Sequence, residues 1–138
     1  MGVIIAARVV VAGEAEGELL VTAEPLSFWG GYNQATGEII DRRHPLSGHV
    51  AAGRILALPG SRGSSTTTAV LLEALRNGTA PAAILTLGVD NFLALASIVA
   101  EETFGRAIPL AALDAAAFAR LASGAPARLG RDGRLVIG

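Results

Sequence analysis

The chain has no cysteine, which excludes disulfides, thiolate nucleophiles and the ordinary ligand set of an iron–sulfur cluster within it. It has no lysine either, for all 11 basic residues are arginine. Schiff-base chemistry and the phosphate-gripping lysine of a P-loop are thereby absent. One Trp, one Tyr and four Phe leave little surface for stacking on bases. A net charge of −1, from 11 basic and 12 acidic residues, gives no electrostatic attraction for a phosphate backbone. Nucleic acid is not an expected partner. With only two histidines, His44 and His49, a metal site would need carboxylates to complete it, and none is expected.

What is abundant is apolar. Hydrophobic residues make up 51% of the 138 positions, enough for one domain, residues 1–138, with a real core. The run from Val3 to Ala12 has no basic region before it and is interrupted by Arg8, so it reads as a strand rather than a signal segment. Residues 82–100 are apolar but contain Gly88, Asp90 and Asn91, which predict a strand, a turn and a helix rather than a membrane span. A soluble cytoplasmic protein with no membrane partner is the expectation. The apolar excess points to a face buried against another subunit, or else to Ala-rich packing.

Strands are predicted at Val3–Ala12 and Glu18–Thr22, with Glu14-Ala15-Glu16-Gly17 as the turn between them. Pro25–His49 is a long polar segment rich in Gly and Pro, of the length that is often functional. Its aromatics either serve that function or close the core from outside. A strand at Arg54–Leu58, a helix from about Ser65, a strand at Ala82–Leu87 and a helix from Asn91 to Glu102 make a β-α-β-α series. A strand at Ile108–Ala112 follows, then a helix capped by Asp114 and running to Leu121. A final hairpin joins Ala127–Gly130 to Arg134–Ile137 across Asp132-Gly133. Strands at both ends with βαβ units between them predict an α/β fold of β/β/α type, with mixed sheet layers and flanking helices, rather than a doubly wound nucleotide fold.

The most informative stretch is Leu58-Pro59-Gly60-Ser61-Arg62-Gly63-Ser64-Ser65-Thr66-Thr67-Thr68. It follows an apolar strand and precedes a helix. It therefore delivers hydroxyls and one arginine to a helix N-terminus, where unpaired N–H groups and the helix dipole favour an anion. Capping alone would need one hydroxyl, and five consecutive residues, Ser64 to Thr68, carry one. Local chemistry leaves a structural cap and a polar-ligand site both open.

Taken in order, Pro25-Leu26-Ser27-Phe28-Trp29-Gly30-Gly31, Thr36-Gly37-Glu38-Ile39-Ile40-Asp41, His44-Pro45-Leu46-Ser47-Gly48, Leu58-Pro59 and Arg62-Gly63-Ser64-Ser65 resemble the small subunit of the aconitase X group. The likeness runs from about Val9 to about Ala112. It implies a swivelling β/β/α domain and a hydro-lyase built as a heterodimer. The larger catalytic subunit would hold an iron or iron–sulfur centre, and this chain would bind no cofactor. In the family's Arg-Gly-Ser pattern the serine after the glycine is the proton acceptor, which corresponds to Ser64. Arg62, Gly63 and Ser65 would then hold the carboxylate of a small hydroxy acid, with Ser27, Trp29 and His44 as loop contacts.

Members of the group dehydrate cis-3-hydroxy-L-proline, mostly in bacteria, or mevalonate 5-phosphate, mostly in archaea. Relatives often carry Ser, Cys or Gly where this chain has Thr66-Thr67-Thr68. The Ala- and Arg-rich, lysine-free composition fits a GC-rich bacterium and favours hydroxyproline. Two other classes compete with this reading. One is a non-catalytic anion-binding module built on the same helix terminus; the other is a phosphocarrier phosphorylated on His44.

Overall fold

The computed structural model describes residues 2–62 and 66–138. Eight strands and four helices follow one another as β1 (Val3–Ala6), β2 (Arg8–Val11), β3 (Ala15–Val21), α1 (Phe28–Gly31), β4 (Ile55–Leu58), α2 (Thr66–Asn77), β5 (Ala83–Leu87), α3 (Asn91–Phe104), β6 (Leu110–Leu113), α4 (Ala115–Phe118), β7 (Pro126–Leu129) and β8 (Arg134–Ile137). The strands lie in the order β1-β8-β7-β3-β4-β5-β6-β2. β3, β4, β5 and β6 run parallel, and the other pairings are antiparallel. This is the mixed α/β sheet expected from the sequence.

The two edge strands, β1 and β2, are halves of one segment separated only by Ala7. β1 pairs with β8 and β2 with β6, so the sheet bends round almost into a barrel. The single strand predicted over Val3–Ala12 is thus two strands with different partners. The corner is held by the Ala7 N–H, which donates to the Gly133 carbonyl at 2.8 Å. Gly133 has φ +87°, and a Cβ there would collide with the Ala7 carbonyl oxygen. Only glycine combines that backbone with that approach.

The period-2 alternation of the strands separates two apolar layers. Leu19, Ile55, Ala57, Leu85, Leu129 and Leu135 point into the space enclosed by the sheet. Leu20, Leu56, Leu58, Ile84 and Leu110 point outward against Val70, Leu71 and Ala74 of α2 and Leu93 and Ala96 of α3. The result is a β/β/α layering. β4 and β6 are buried at every position, as expected of parallel strands covered on both faces.

Two local expectations are corrected. Ala15, Glu16 and Gly17, predicted as a turn, belong to β3 and pair with Leu129, Arg128 and Ala127. Glu16 and Glu18 stay exposed while their neighbours are partly buried, a half-buried alternation that outweighs the turn signal of the glycine. The last hairpin joins β7 to β8 as expected, with Asp132-Gly133 in a three-residue loop, Arg131–Gly133, closed by the Gly130 N–H donating to the Arg134 carbonyl at 2.9 Å. The helix after Asp114 stops at Phe118 rather than reaching Leu121, although Asp114 caps it by accepting from Ala117 N at 2.8 Å.

Candidate functional site

Because β3 to β6 are parallel, the loops that leave their C-terminal ends gather on one side of the sheet, where open α/β sheets bind ligands. The loop after β4 carries Gly60, Ser61 and Arg62; the loop after β5 carries Gly88 to Asp90. β4 and β5 are direct neighbours, and their loops are tied together. Asp90 accepts from the Ser61 backbone N–H at 2.7 Å and from the Ser61 hydroxyl at 2.9 Å through Oδ2. Its Oδ1 caps α3 by accepting from Leu93 N at 3.0 Å. Charge-assisted bonds of this kind are the stronger sort. Gly60 gives the carboxylate room, since a Cβ there would lie 2.9 Å from Asp90 Oδ2 and push it away from Ser61.

The other side of Gly60–Arg62 is held by the segment after β3. Leu26 bridges Ser61 in parallel fashion. Its N–H donates to the Gly60 carbonyl at 3.3 Å, and its carbonyl accepts from Arg62 N at 3.0 Å. Arg62 is exposed. Gly60–Arg62 is therefore held on one flank by the Asp90 carboxylate and on the other by backbone bonds to Leu26. Gly63, Ser64 and Ser65, the predicted base and two of the predicted anion contacts, lie outside the described residues.

Thr66 is the first residue of α2, a helix of 12 residues. Of the five-hydroxyl run, read as either a cap or a ligand site, Thr66, Thr67 and Thr68 lie among the described residues. Thr67 is 1% exposed and shares the inward face of α2 with Val70, Leu71 and Ala74. Its hydroxyl has no hydrogen-bond partner, the one such buried side-chain atom among the described residues.

The loop residues predicted as contacts are spread over different environments. Ser27 is half-buried, and its hydroxyl donates to the Trp29 carbonyl at 3.2 Å. Trp29 is 65% exposed; it and Gly30 have the dihedrals of a type II turn within α1. Phe28 and Tyr32 close the core instead, with ring centroids 5.6 Å apart. Tyr32 donates to the Thr79 carbonyl at 2.7 Å, and burial pushes its hydroxyl pKa well above the ordinary value.

His44 is buried, unlike a solvated loop histidine. Its Nδ1 accepts from Leu46 N at 3.1 Å, which leaves the ring proton on Nε2 facing the Glu24 carbonyl at 3.4 Å. Both nitrogens are thus engaged with backbone, and the ring braces the turn before Leu26.

The residues of this chain do not fit an iron–sulfur centre. Cysteine is absent, and among the described residues no three His, Asp or Glu side chains converge. No helix among the described residues is long and apolar enough to cross a membrane. The pairing that the sequence does not reveal is Ser61–Asp90. Asp90 reads in sequence as a turn residue before a helix. Its reach to Ser61, 29 positions away, becomes visible only when β4 and β5 are placed side by side.

The sequence profile of the aconitase X swivel domain matches residues 4–137. A cis-3-hydroxy-L-proline dehydratase of Pseudomonas aeruginosa is 54% identical over 134 residues, which is 97% of this chain and 23% of that protein. The phosphomevalonate dehydratase small subunit of Methanothermobacter thermautotrophicus is 42% identical over 93 residues, covering 67% of this chain and 71% of that subunit. Among solved structures, holo-form aconitase X from Thermococcus kodakaraensis superimposes with a TM-score of 0.86 at 31% identity, over 98% of both chains. The chain spans under a quarter of the Pseudomonas relative's length.

Proposed function

The chain belongs to the aconitase X swivel domain family, and from that membership we propose that it is the serine-bearing component of a two-polypeptide hydro-lyase acting on cis-3-hydroxy-L-proline. The single observation that carries the choice of substrate is the 54% identity over 134 residues to the Pseudomonas cis-3-hydroxy-L-proline dehydratase. The reaction is a dehydration in the cytoplasm. A larger aconitase X polypeptide completes the site and holds any iron or iron–sulfur centre, since the residues of this chain do not fit one.

In this reading Ser64 Oγ takes the proton alpha to the substrate carboxylate. The electron pair left behind forms the double bond as the hydroxyl departs, and the proton held on Ser64 passes to the departing oxygen, so that H and OH leave together as water. A serine oxygen is a poor base unless its anion is stabilised. The first-turn amides of α2 and the guanidinium of Arg62 are the groups suited to that task. Arg62, with Gly63 and Ser65, holds the substrate carboxylate. Support comes from the way Leu26 and Asp90 hold Ser61 and Arg62 from both sides, which fixes the last described residues before the proposed base.

The test is reconstitution with the larger polypeptide, measuring turnover of cis-3-hydroxy-L-proline and of mevalonate 5-phosphate side by side. Turnover of hydroxyproline that falls roughly 10²–10⁴-fold in Ser64→Ala, with folding and assembly retained, is the expected result. Loss of a helix cap alone costs only about 1 kcal/mol of stability. A variant that melts earlier yet keeps its rate would make Ser64 a cap and return the chain to the anion-binding class. Preference for the phosphorylated substrate would move it to the phosphomevalonate branch.

A further inference from the structure

We propose that the outward face of α3, together with Leu87 and Val89 just before it, is the surface on which the larger polypeptide docks. The inference rests on the two-polypeptide reading and adds where the second polypeptide sits. α3 is apolar on two sides. Leu93, Ala96 and Ala100 face the core, while Phe92, Leu95 and Ile98 stand 42%, 51% and 52% exposed at intervals of three residues. Leu87 and Val89, 42% and 47% exposed, extend the stripe back to the end of β5. Outward charge enters the helix only at Glu101 and Glu102. A helix that is hydrophobic all round is one that works buried, and five large apolar side chains on one short stretch exceed the scattered singles of an ordinary surface.

The relatives argue for one occupant. In the Pseudomonas protein the segment matching this chain is 23% of the length, so its counterpart there is joined to a polypeptide about three times larger, which is the occupant this proposal commits to. The stripe begins beside Asp90, whose carboxylate holds Ser61. A body seated there is brought to the segment that carries Ser64. On the other flank of Gly60–Arg62, Trp29 is also exposed, three residues past the Leu26–Ser61 bridge. The far layer is unsuited to the same role, because β3 and β7 present Glu16, Glu18 and Arg128 to solvent. The stripe carries no basic side chain to attract an anionic lipid surface.

The probe is the intact larger polypeptide of the two-polypeptide enzyme, titrated with the wild-type chain, with Leu95→Asp/Ile98→Asp and with Ile4→Asp. Ile4 is 62% exposed on β1 and serves as the control. The doubly substituted chain should keep the wild-type circular dichroism and lose affinity by about thirtyfold or more, as when apolar anchors are removed from an interface core; Ile4→Asp should bind as wild type. Equal binding by Leu95→Asp/Ile98→Asp overturns the docking face while leaving the two-polypeptide reading intact. Failure of the wild-type chain to bind at all counts against that reading itself. Sedimentation of the chain alone adds a further arm. A wild-type dimer that Leu95→Asp/Ile98→Asp dissolves would assign the stripe to a second copy and overturn the proposal.

Discussion

The carboxylate of Asp90 accepts from both the backbone N–H and the hydroxyl of Ser61, at 2.7 and 2.9 Å, while its second oxygen caps α3. One side chain thus fixes the start of a helix and the loop that leaves the neighbouring strand. Asp90→Ala removes the cap, worth about 1 kcal/mol, and the charged partner of Ser61, worth about 1.5–3 kcal/mol. The melting temperature should fall accordingly. In the assembled enzyme kcat should drop roughly ten- to hundredfold, the cost of a misplaced catalytic group. Asp90→Asn keeps the shape and one acceptor oxygen, enough for the cap or for the Ser61 N–H but not both, so it should recover only part of the stability and of the rate. If both variants melt early but keep the wild-type rate, Asp90 serves only the fold.

Much of this arrangement was legible in the sequence, and the limits have physical causes. The β4-α2-β5-α3-β6 series was visible because buried parallel strands read as continuous apolar runs and their helices as periodic ones. The break at Ala7 was not, because Val3–Ala12 is apolar on both sides of Arg8 and local pattern carries no information about which strand each half will pair with. The glycine of Glu14–Gly17 suggested a turn where β3 continues, since one residue can signal a turn or a close approach within a strand. At the site, Gly60, Ser61 and Arg62 announced themselves as a loop before a helix. Asp90 did not, for its reach across two strands depends on sheet order. His44 was visible as a residue and not as a brace, because its partners are backbone atoms of Glu24 and Leu46.

Thr67→Val should stabilise the chain. A buried hydroxyl without a partner costs about 1–3 kcal/mol, and valine preserves the branched shape within the α2 packing. Thermal melting should show a rise of a few degrees, whereas Thr67→Ser, which retains the hydroxyl and removes a methyl, should melt below wild type. If Thr67→Val melts lower, the hydroxyl is engaged. If it melts higher but lowers kcat in the assembled enzyme, the hydroxyl finds its partner only there.

Gly133→Ala should be among the more damaging single-methyl additions. Its φ of +87° is unfavourable for any residue with a Cβ, and the added atom would also meet the Ala7 carbonyl and lie 3.0 Å from Val9 Cγ2. The conformational term alone is about 1–2 kcal/mol, which for a domain of this size is roughly 5 °C in Tm. The loss should concentrate at the corner where β1 passes into β2. Amide exchange at Ala7, whose N–H donates to Gly133, should accelerate more than exchange in β4 or β5. Uniform acceleration would mean that the corner and the parallel strands open as one unit.

Alkaline pH provides a test of the packing under α1. Tyr32 is the one tyrosine, and with no lysine and no cysteine it is the one side chain expected to titrate between about pH 9 and 12. Burial raises its pKa in the fold above the ordinary value of 10.0. Below pH 10 both folded and unfolded chains carry the phenolic proton, and the stability is fully present. As pH rises further, the unfolded chain loses that proton while the folded chain keeps it, so stability declines by up to about 1.4 kcal/mol per pH unit. Melting followed at stepped pH should show the decline beginning near pH 10, with tyrosinate absorbance appearing together with unfolding rather than before it. Tyr32→Phe should flatten that dependence, while losing about 1 kcal/mol at neutral pH from the bond to the Thr79 carbonyl. Tyrosinate formation in the intact fold near pH 10 would mean that solvent reaches the ring, and that this part of the core is looser than its packing against Phe28 indicates.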